Sequence, residues 1–204
     1  MKKLSLLLAL ILVVTTAGVY ATWNYSRNVV DTKQASATAV ITGTQSSTKG
    51  EITIVSAPKR VIVDDTNNDL IAELWFGDVD ASSHPVAGAD QIGAVHVTFT
   101  PASQGVDADV AANGIKLKWT LTISSHGKFD INGDGTVADD EHIFKMLTTE
   151  GYFNDGNATK DATLNISEIL QLNGTIKLDT YEKYQKFENA LNGITFTLTV
   201  SEVA

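Results

Sequence analysis

The stretch IKLKWTLTIS, residues 115–124, places an apolar side chain at every second position. Ile115, Leu117, Trp119, Leu121 and Ile123 fall on one face, and Lys116, Lys118 and the threonines on the other. Period two is the repeat of an extended strand with one dry and one wet face. The same pattern recurs on both sides. AVHVTFT at 94–100 sets Val95, Val97 and Phe99 against His96 and Thr98, and ITFTLTVSE at 194–202 alternates in the same way. Shorter β-branched runs lie at 37–43, 51–56, 60–64, 70–76 and 175–178. Short strands with one wet face, separated by Gly-, Ser-, Asn- and Asp-rich turns, predict a mainly β chain. The expected architecture is an antiparallel β-sandwich of jelly-roll-like form. Only three prolines interrupt 204 residues, as long paired strands require.

Two segments break the period. Tyr181, Tyr184, Phe187 and Leu191 recur at three- and four-residue intervals and predict a helix near the C-terminus, opened by a capping box at Asp179 and Glu182 and closed at Gly193. Ile143, Phe144, Met146 and Leu147 predict a second helix.

That second helix would leave the most specific motif in the chain. DINGDGTVADDE, residues 130–141, fills every defining position of an EF-hand calcium loop. Calcium takes about six to eight hard oxygens. Asp130, Asn132 and Asp134 occupy positions 1, 3 and 5, Gly135 the sharp turn at 6, the Thr136 carbonyl position 7, and Glu141 the bidentate position 12. Ala138 at position 9 leaves that place to water, and Val137 at position 8 is the apolar residue that pairs with a second loop. A weaker copy starts 27 residues later, with Asn157, Thr159, Asp161, Thr163 and Glu168 as its candidate ligands. It carries Ala162 in place of glycine and a lysine, Lys160, inside the loop. Strand-like sequence enters the first loop where an EF-hand would have a helix. That half-site and the spacing of the copies are dockerin-like. Residues 126–172 therefore read as a helical calcium-binding insertion within one β domain spanning 22–204, with Ca2+ as the cofactor.

Charge and cysteine narrow the rest. There are 15 Lys and Arg against 24 Asp and Glu, a formal net charge of −9, which argues against nucleic acid as partner. With no cysteine, disulfides, thiolate chemistry and Cys-ligated metals are excluded. Residues 130–168 hold nine acids and two lysines, a net −7, so most of the net negative charge lies in the insertion. At the other end, Lys2 and Lys3 precede a nearly unbroken apolar run at 4–17, and Val19-Tyr20-Ala21 follows. This is the form of a secretory signal peptide, residues 1–21, and predicts an extracellular protein. An uncleaved membrane anchor is the alternative, because residues 4–21 are just long enough to span a bilayer. Cleavage after Ala21 removes both lysines and takes the formal charge to −11.

The junction Gly18-Val19-Tyr20-Ala21-Thr22-Trp23, after a Lys-Lys and leucine-rich start, resembles the signal region of the TasA/camelysin family of Gram-positive secreted proteins. The likeness covers the leader and its junction, the general strand pattern, and the strand at 194–202. It implies processing by a SipW-type signal peptidase, a jelly-roll-like sandwich, and a role as an extracellular fibre subunit of the biofilm matrix. Thr22-Trp23 departs from the commoner aromatic pair, and a calcium insertion is not a hallmark of that family. Camelysin is described as a metallopeptidase, but this chain has no HExxH, and its four histidines, His84, His96, His126 and His142, are scattered. His96 and His142 read as surface residues and no catalytic residue is expected. The expected function is a secreted structural protein whose mature N-terminus, TWNYS at 22–26, adds as a strand to a neighbouring copy. The alternatives are a dockerin-like calcium-dependent module for a protein or glycan and, less favoured, a camelysin-like peptidase.

Overall fold

The computed structural model describes residues 36–41 (as backbone), 49–67, 69–80 and 84–203. The chain runs β1 (Ser36–Ile41), β2 (Gly50–Ser56), β3 (Arg60–Asp64), β4 (Glu73–Gly77), β5 (Ala94–Pro101), α1 (Ala108–Asn113), β6 (Leu117–Ile123), β7 (Phe144–Met146), β8 (Glu150–Tyr152), β9 (Asp161–Asn165), β10 (Leu170–Leu172), α2 (Tyr181–Leu191) and β11 (Thr195–Glu202). Six strands form one sheet in the order β4-β3-β1-β11-β6-β8, and three form a second, β2-β5-β9. β7 and β10 make a separate ribbon. Every pair is antiparallel except β1 with β11.

Alternation decides which faces are dry. Val95, Val97 and Phe99 of β5, Leu117, Trp119 and Leu121 of β6, and Phe196, Leu198 and Val200 of β11 are all buried. Side chains of both larger sheets join a single apolar cluster. Val61, Phe76, Leu121 and Phe196 from the six-stranded sheet and Val95 from the three-stranded sheet line one small internal cavity. Phe196 also meets Phe144 edge-on at 5.1 Å, which fastens the β7–β10 ribbon to the core.

The C-terminal helix forms where the apolar spacing predicts it, with Phe187 and Leu191 buried. Its cap lies one residue later than expected. Thr180 accepts from the Lys183 amide, while Asp179 forms an ion pair with Lys183 at 2.9 Å. The helix expected at 143–147 is not there. Phe144–Met146 is β7, hydrogen-bonded to β10. Residues 126–172 are therefore not a helical insertion. They supply β8 to the larger sheet and β9 to the smaller one, with only short 3-10 turns between. The run at 70–76 becomes a strand only from Glu73, and 175–178 makes a lone bridge to Ile71. None of the helices among the described residues is long and apolar enough to cross a membrane. The leader and the segment at 22–30 lie outside those residues.

Gly114 fixes how β9 approaches β6. Its φ is +87°, and a Cβ there would sit 2.1 Å from the Thr159 carbonyl oxygen. The next residue, Ile115, exchanges both backbone hydrogen bonds with Thr159. Gly114→Ala is expected to cost more than about 2 kcal/mol by strain and overpacking together. Gly193→Ala shares the positive φ, at +77°, but meets open space; its expected cost is about 1 kcal/mol of backbone strain. Urea midpoints of the two variants measure the difference, and equal midpoints would contradict the close approach.

Candidate metal centre

Residues 130–141 form the tip of a hairpin that leaves the end of β6 and returns into β7. The stem is held by Lys128 bridging His142, by the Ile143 amide donating to the Gly127 carbonyl at 2.7 Å, and by the Phe144 amide donating to the His126 carbonyl at 3.1 Å. Phe129, 4% exposed, anchors the entry and packs edge-on against Phe187 of α2 at 5.4 Å.

Above this anchor the loop wraps around its own side-chain oxygens. Asp130 accepts from the Gly133 amide through Oδ1 at 2.7 Å and from the Gly135 amide through Oδ2 at 2.8 Å. Asn132 Oδ1 accepts from the Asp134 amide, and Asp134 Oδ1 from the Thr136 amide, both at 2.8 Å. Gly133 and Gly135 take positive φ values of 77° and 88°, which close the turns cheaply only without a Cβ. Glu141 reaches back across the loop. Its Oε1 accepts from the Asn132 amide at 3.1 Å and its Oε2 from the Ala138 amide at 2.9 Å. It is 9% exposed and, with Asp64, one of two buried charged residues among those described. An ionised carboxylate offers about four lone-pair sites. Asp130 and Glu141 each use two on amides, so both retain acceptor capacity while the amides fix their orientation.

All six residues that sequence spacing assigns to this loop's oxygen positions and turn thus take part in hydrogen bonds within the loop, Thr136 through its amide. The remaining donor is the Thr136 carbonyl. The set is mixed, with three carboxylates, one amide oxygen and one carbonyl, and such all-oxygen donors suit a hard cation of calcium's size. Among the described residues, Asp130, Asp134 and Glu141 included, no group of three or more His, Asp or Glu side chains is gathered closely enough to hold a metal ion. Nearby cations balance the rim. Lys128 pairs with Asp139 at 2.7 Å, and this hydrogen bond holds the Asp139 carboxyl below its ordinary range. Lys186 of α2 feels Asp130 and pairs with Glu182 at 2.8 Å.

The second copy is not a loop. Asp161, Thr163 and Asn165 lie on the outer face of β9, with Ala162 and Leu164 buried between them. A strand rises about 3.3 Å per residue, so these oxygens spread along a line and do not converge. Asp161 faces His96 across the β5–β9 pair at 2.9 Å. Thr159 donates to the Asp161 carbonyl, Asn157 donates to the Asn154 carbonyl, and Glu168 accepts from Asn165. Asn157, Thr159, Asp161, Thr163 and Glu168 are thus spread along β9 and the segments on either side of it. His142 also departs from expectation. Its ring is half-buried 5.5 Å from that of His126, with Nδ1 buried and unpartnered.

Sequence reading passed over a different turn. Between β3 and β4, Asp65 accepts from the Asp69 amide at 2.9 Å and the Leu70 amide at 3.1 Å, and Asp69 Oδ1 accepts from the Ile71 amide at 3.0 Å. Asn67 donates to Glu73 Oε1 at 2.6 Å. The signal was present as oxygen-bearing residues at 65, 67, 69 and 73, without a glycine to mark it.

No protein-family model, curated protein or solved structure matches this chain.

Proposed function

We propose that this is a secreted calcium-binding protein, built as a jelly-roll-like sandwich, that serves as a structural subunit of an extracellular fibre. The observation that carries the calcium reading is the 130–141 loop, whose Asp130 and Glu141 carboxylates are each held by two backbone amides. Asp130, Asn132, Asp134, the Thr136 carbonyl and Glu141 would hold the ion. Bound there, it offsets the mutual repulsion of three carboxylates and locks the hairpin that joins β6 to β7. For a secreted chain without cysteine, such an ion takes the place of a covalent crosslink.

The fibre reading draws on the leader-like N-terminus and on the position of β1. This strand comes from near the N-terminus and lies between β3 and β11 in the interior of the larger sheet. A sheet that accepts an N-terminal strand internally can accept the same strand from a neighbour. The segment at 22–30 is the proposed link between copies. Protein starting at Thr22 is expected to polymerise, and protein lacking 22–30 to remain monomeric by light scattering and electron microscopy. Equal polymerisation of the two would sink strand addition.

A calcium-dependent binding module is the second reading, favoured by one residue. Val137, at position 8 of the loop, is 47% exposed, and the copy expected to pair with it is built around strand β9. Calcium-dependent capture of a different extracellular protein or glycan, without self-assembly, selects this reading.

A further inference from the structure

We propose that Asn192-Gly193, at the junction of α2 and β11, is a site of spontaneous covalent modification, the deamidation of asparagine through a cyclic imide. The chain has four Asn-Gly steps, beginning at Asn113, Asn132, Asn173 and Asn192. Glycine after asparagine leaves the attacking amide nitrogen without a neighbouring Cβ, so the four steps are chemically alike. The fold makes them unequal. Three are held at both reacting groups. The Gly114 amide donates to the Val110 carbonyl at 2.9 Å, and the Asn113 side chain donates to Asp109 at 2.7 Å. The Gly133 amide donates to Asp130 at 2.7 Å, while the Asn132 side chain accepts from the Asp134 amide at 2.8 Å. The Gly174 amide donates to the Leu172 carbonyl at 3.0 Å, and the Asn173 side chain donates to the Asp140 carbonyl at 3.2 Å.

The fourth step is held at neither group. Asn192 and Gly193 are both exposed, and a Cβ at Gly193 would meet nothing within 4 Å. Among the described residues, no hydrogen bond engages the Gly193 amide or the Asn192 side chain. The Gly193 nitrogen can therefore attack the Asn192 side-chain carbonyl carbon without first leaving a partner. The N–Cγ bond forms, the Cγ–Nδ2 bond breaks, and ammonia departs with the proton the nitrogen loses. Water then opens the imide at either carbonyl. Cleavage of the new N–Cγ bond gives aspartate. Cleavage of the original peptide bond gives isoaspartate, whose chain runs through Cβ and Cγ. Either product puts a carboxylate at the C-terminal end of α2, where the helix dipole opposes negative charge. Isoaspartate also lengthens the backbone by one carbon between the buried Leu191 and Ile194. That corner packs on the stem of the 130–141 hairpin, since a Cβ at Gly127 would lie 2.9 Å from the Ala190 carbonyl oxygen and 3.0 Å from the Ile194 side chain. The modification loosens helix, strand and hairpin stem together as the protein ages, whether or not the loop takes an ion.

The test is peptide mapping by mass spectrometry of the full chain held in warm, mildly alkaline buffer with chelator, so that no ion protects Asn132. Two hydrogen bonds that must open first slow a step by on the order of tenfold or more. Asn192 is therefore expected to exchange its NH2 for OH at least tenfold faster than Asn113, Asn132 or Asn173, with the isoaspartyl peptide among its products. In urea the four rates are expected to converge, because the fold and not the neighbouring sequence sets the difference. Asn192 reacting no faster than the other three in the folded chain overturns the proposal, and so does an unchanged ranking in urea. The separated isoaspartyl form is expected to melt lower than the unmodified protein. Equal melting temperatures overturn the effect on the α2–β11 corner.

Discussion

Adding calcium is expected to raise the melting temperature of the chain, and Glu141→Gln is expected to abolish most of the rise. An ion bound only by the native state stabilises it by about 2.7 kcal/mol when present at a hundred times its dissociation constant. For a domain of this size each kcal/mol moves the midpoint by roughly 2–4 °C, so the shift is on the order of 5–10 °C. Glu141 is the right residue to change because both of its oxygens are committed, one to the Asn132 amide and one to the Ala138 amide. Glutamine keeps the shape but presents an NH2 group to one of those amides. Donor then faces donor, which costs about 1–3 kcal/mol even without calcium. The variant is therefore expected to melt lower in chelator and to respond little to calcium. An unchanged response to calcium in Glu141→Gln would remove position 12 from the site.

The second large effect lies in the core. Phe196 is 1% exposed on β11, and its ring meets Phe144 edge-on at 5.1 Å. Phe196→Ala is expected to cost about 3–5 kcal/mol by cavity formation, with roughly 0.5–1.5 kcal/mol more from the lost ring pair. Against a total stability of about 5–15 kcal/mol, this leaves a marginal protein. Thr199→Ala, an exposed position on the same strand, is expected to change stability by less than about 0.5 kcal/mol. Urea denaturation of both variants measures the contrast. Similar midpoints would mean that β11 does not present Phe196 to a packed interior. Because Phe144 begins β7, shortly after the 130–141 loop, the variant also tests whether the loop's exit is anchored through this ring.

Strands with long, clean alternation were legible from residues alone. The apolar face of 115–123 is the buried face of β6, and that of 194–202 is the buried face of β11. β7 and β10 were not legible, for a physical reason. Each is three residues long, and each is held by a partner more than twenty residues away. Ile143, Phe144, Met146 and Leu147 fit a helical stripe as well as a strand, and only the distant partner decides. The second copy and the β3–β4 turn illustrate a related ambiguity. Calcium-loop oxygens recur at positions 1, 3 and 5, and the outward face of a strand also repeats every second residue. Asp161, Thr163 and Asn165 met the first pattern while obeying the second. The residues between them, Ala162 and Leu164, are apolar and buried, which marks a strand. Between Asp65, Asn67 and Asp69 stand Thr66 and Asn68, both polar, which marks a turn.

The first loop is the reverse case, since Asp130, Asn132, Asp134 and Glu141 were identified by spacing and are joined by one hydrogen-bond pattern around the loop. What spacing missed was its setting. The exit is a strand that joins a ribbon and, through Phe144, the core, so an ion here would brace sheet architecture instead of ordering a helix. Under the proposed function, an ion there would stiffen the fold that is to receive a neighbour's strand.

Calorimetric titration of the chain from Thr22 with calcium, alongside Asp130→Ala, tests the central claim most directly. The predicted result is calcium binding in the parent protein with one site fewer in Asp130→Ala. An identical number of sites and identical affinities in the two proteins would contradict it.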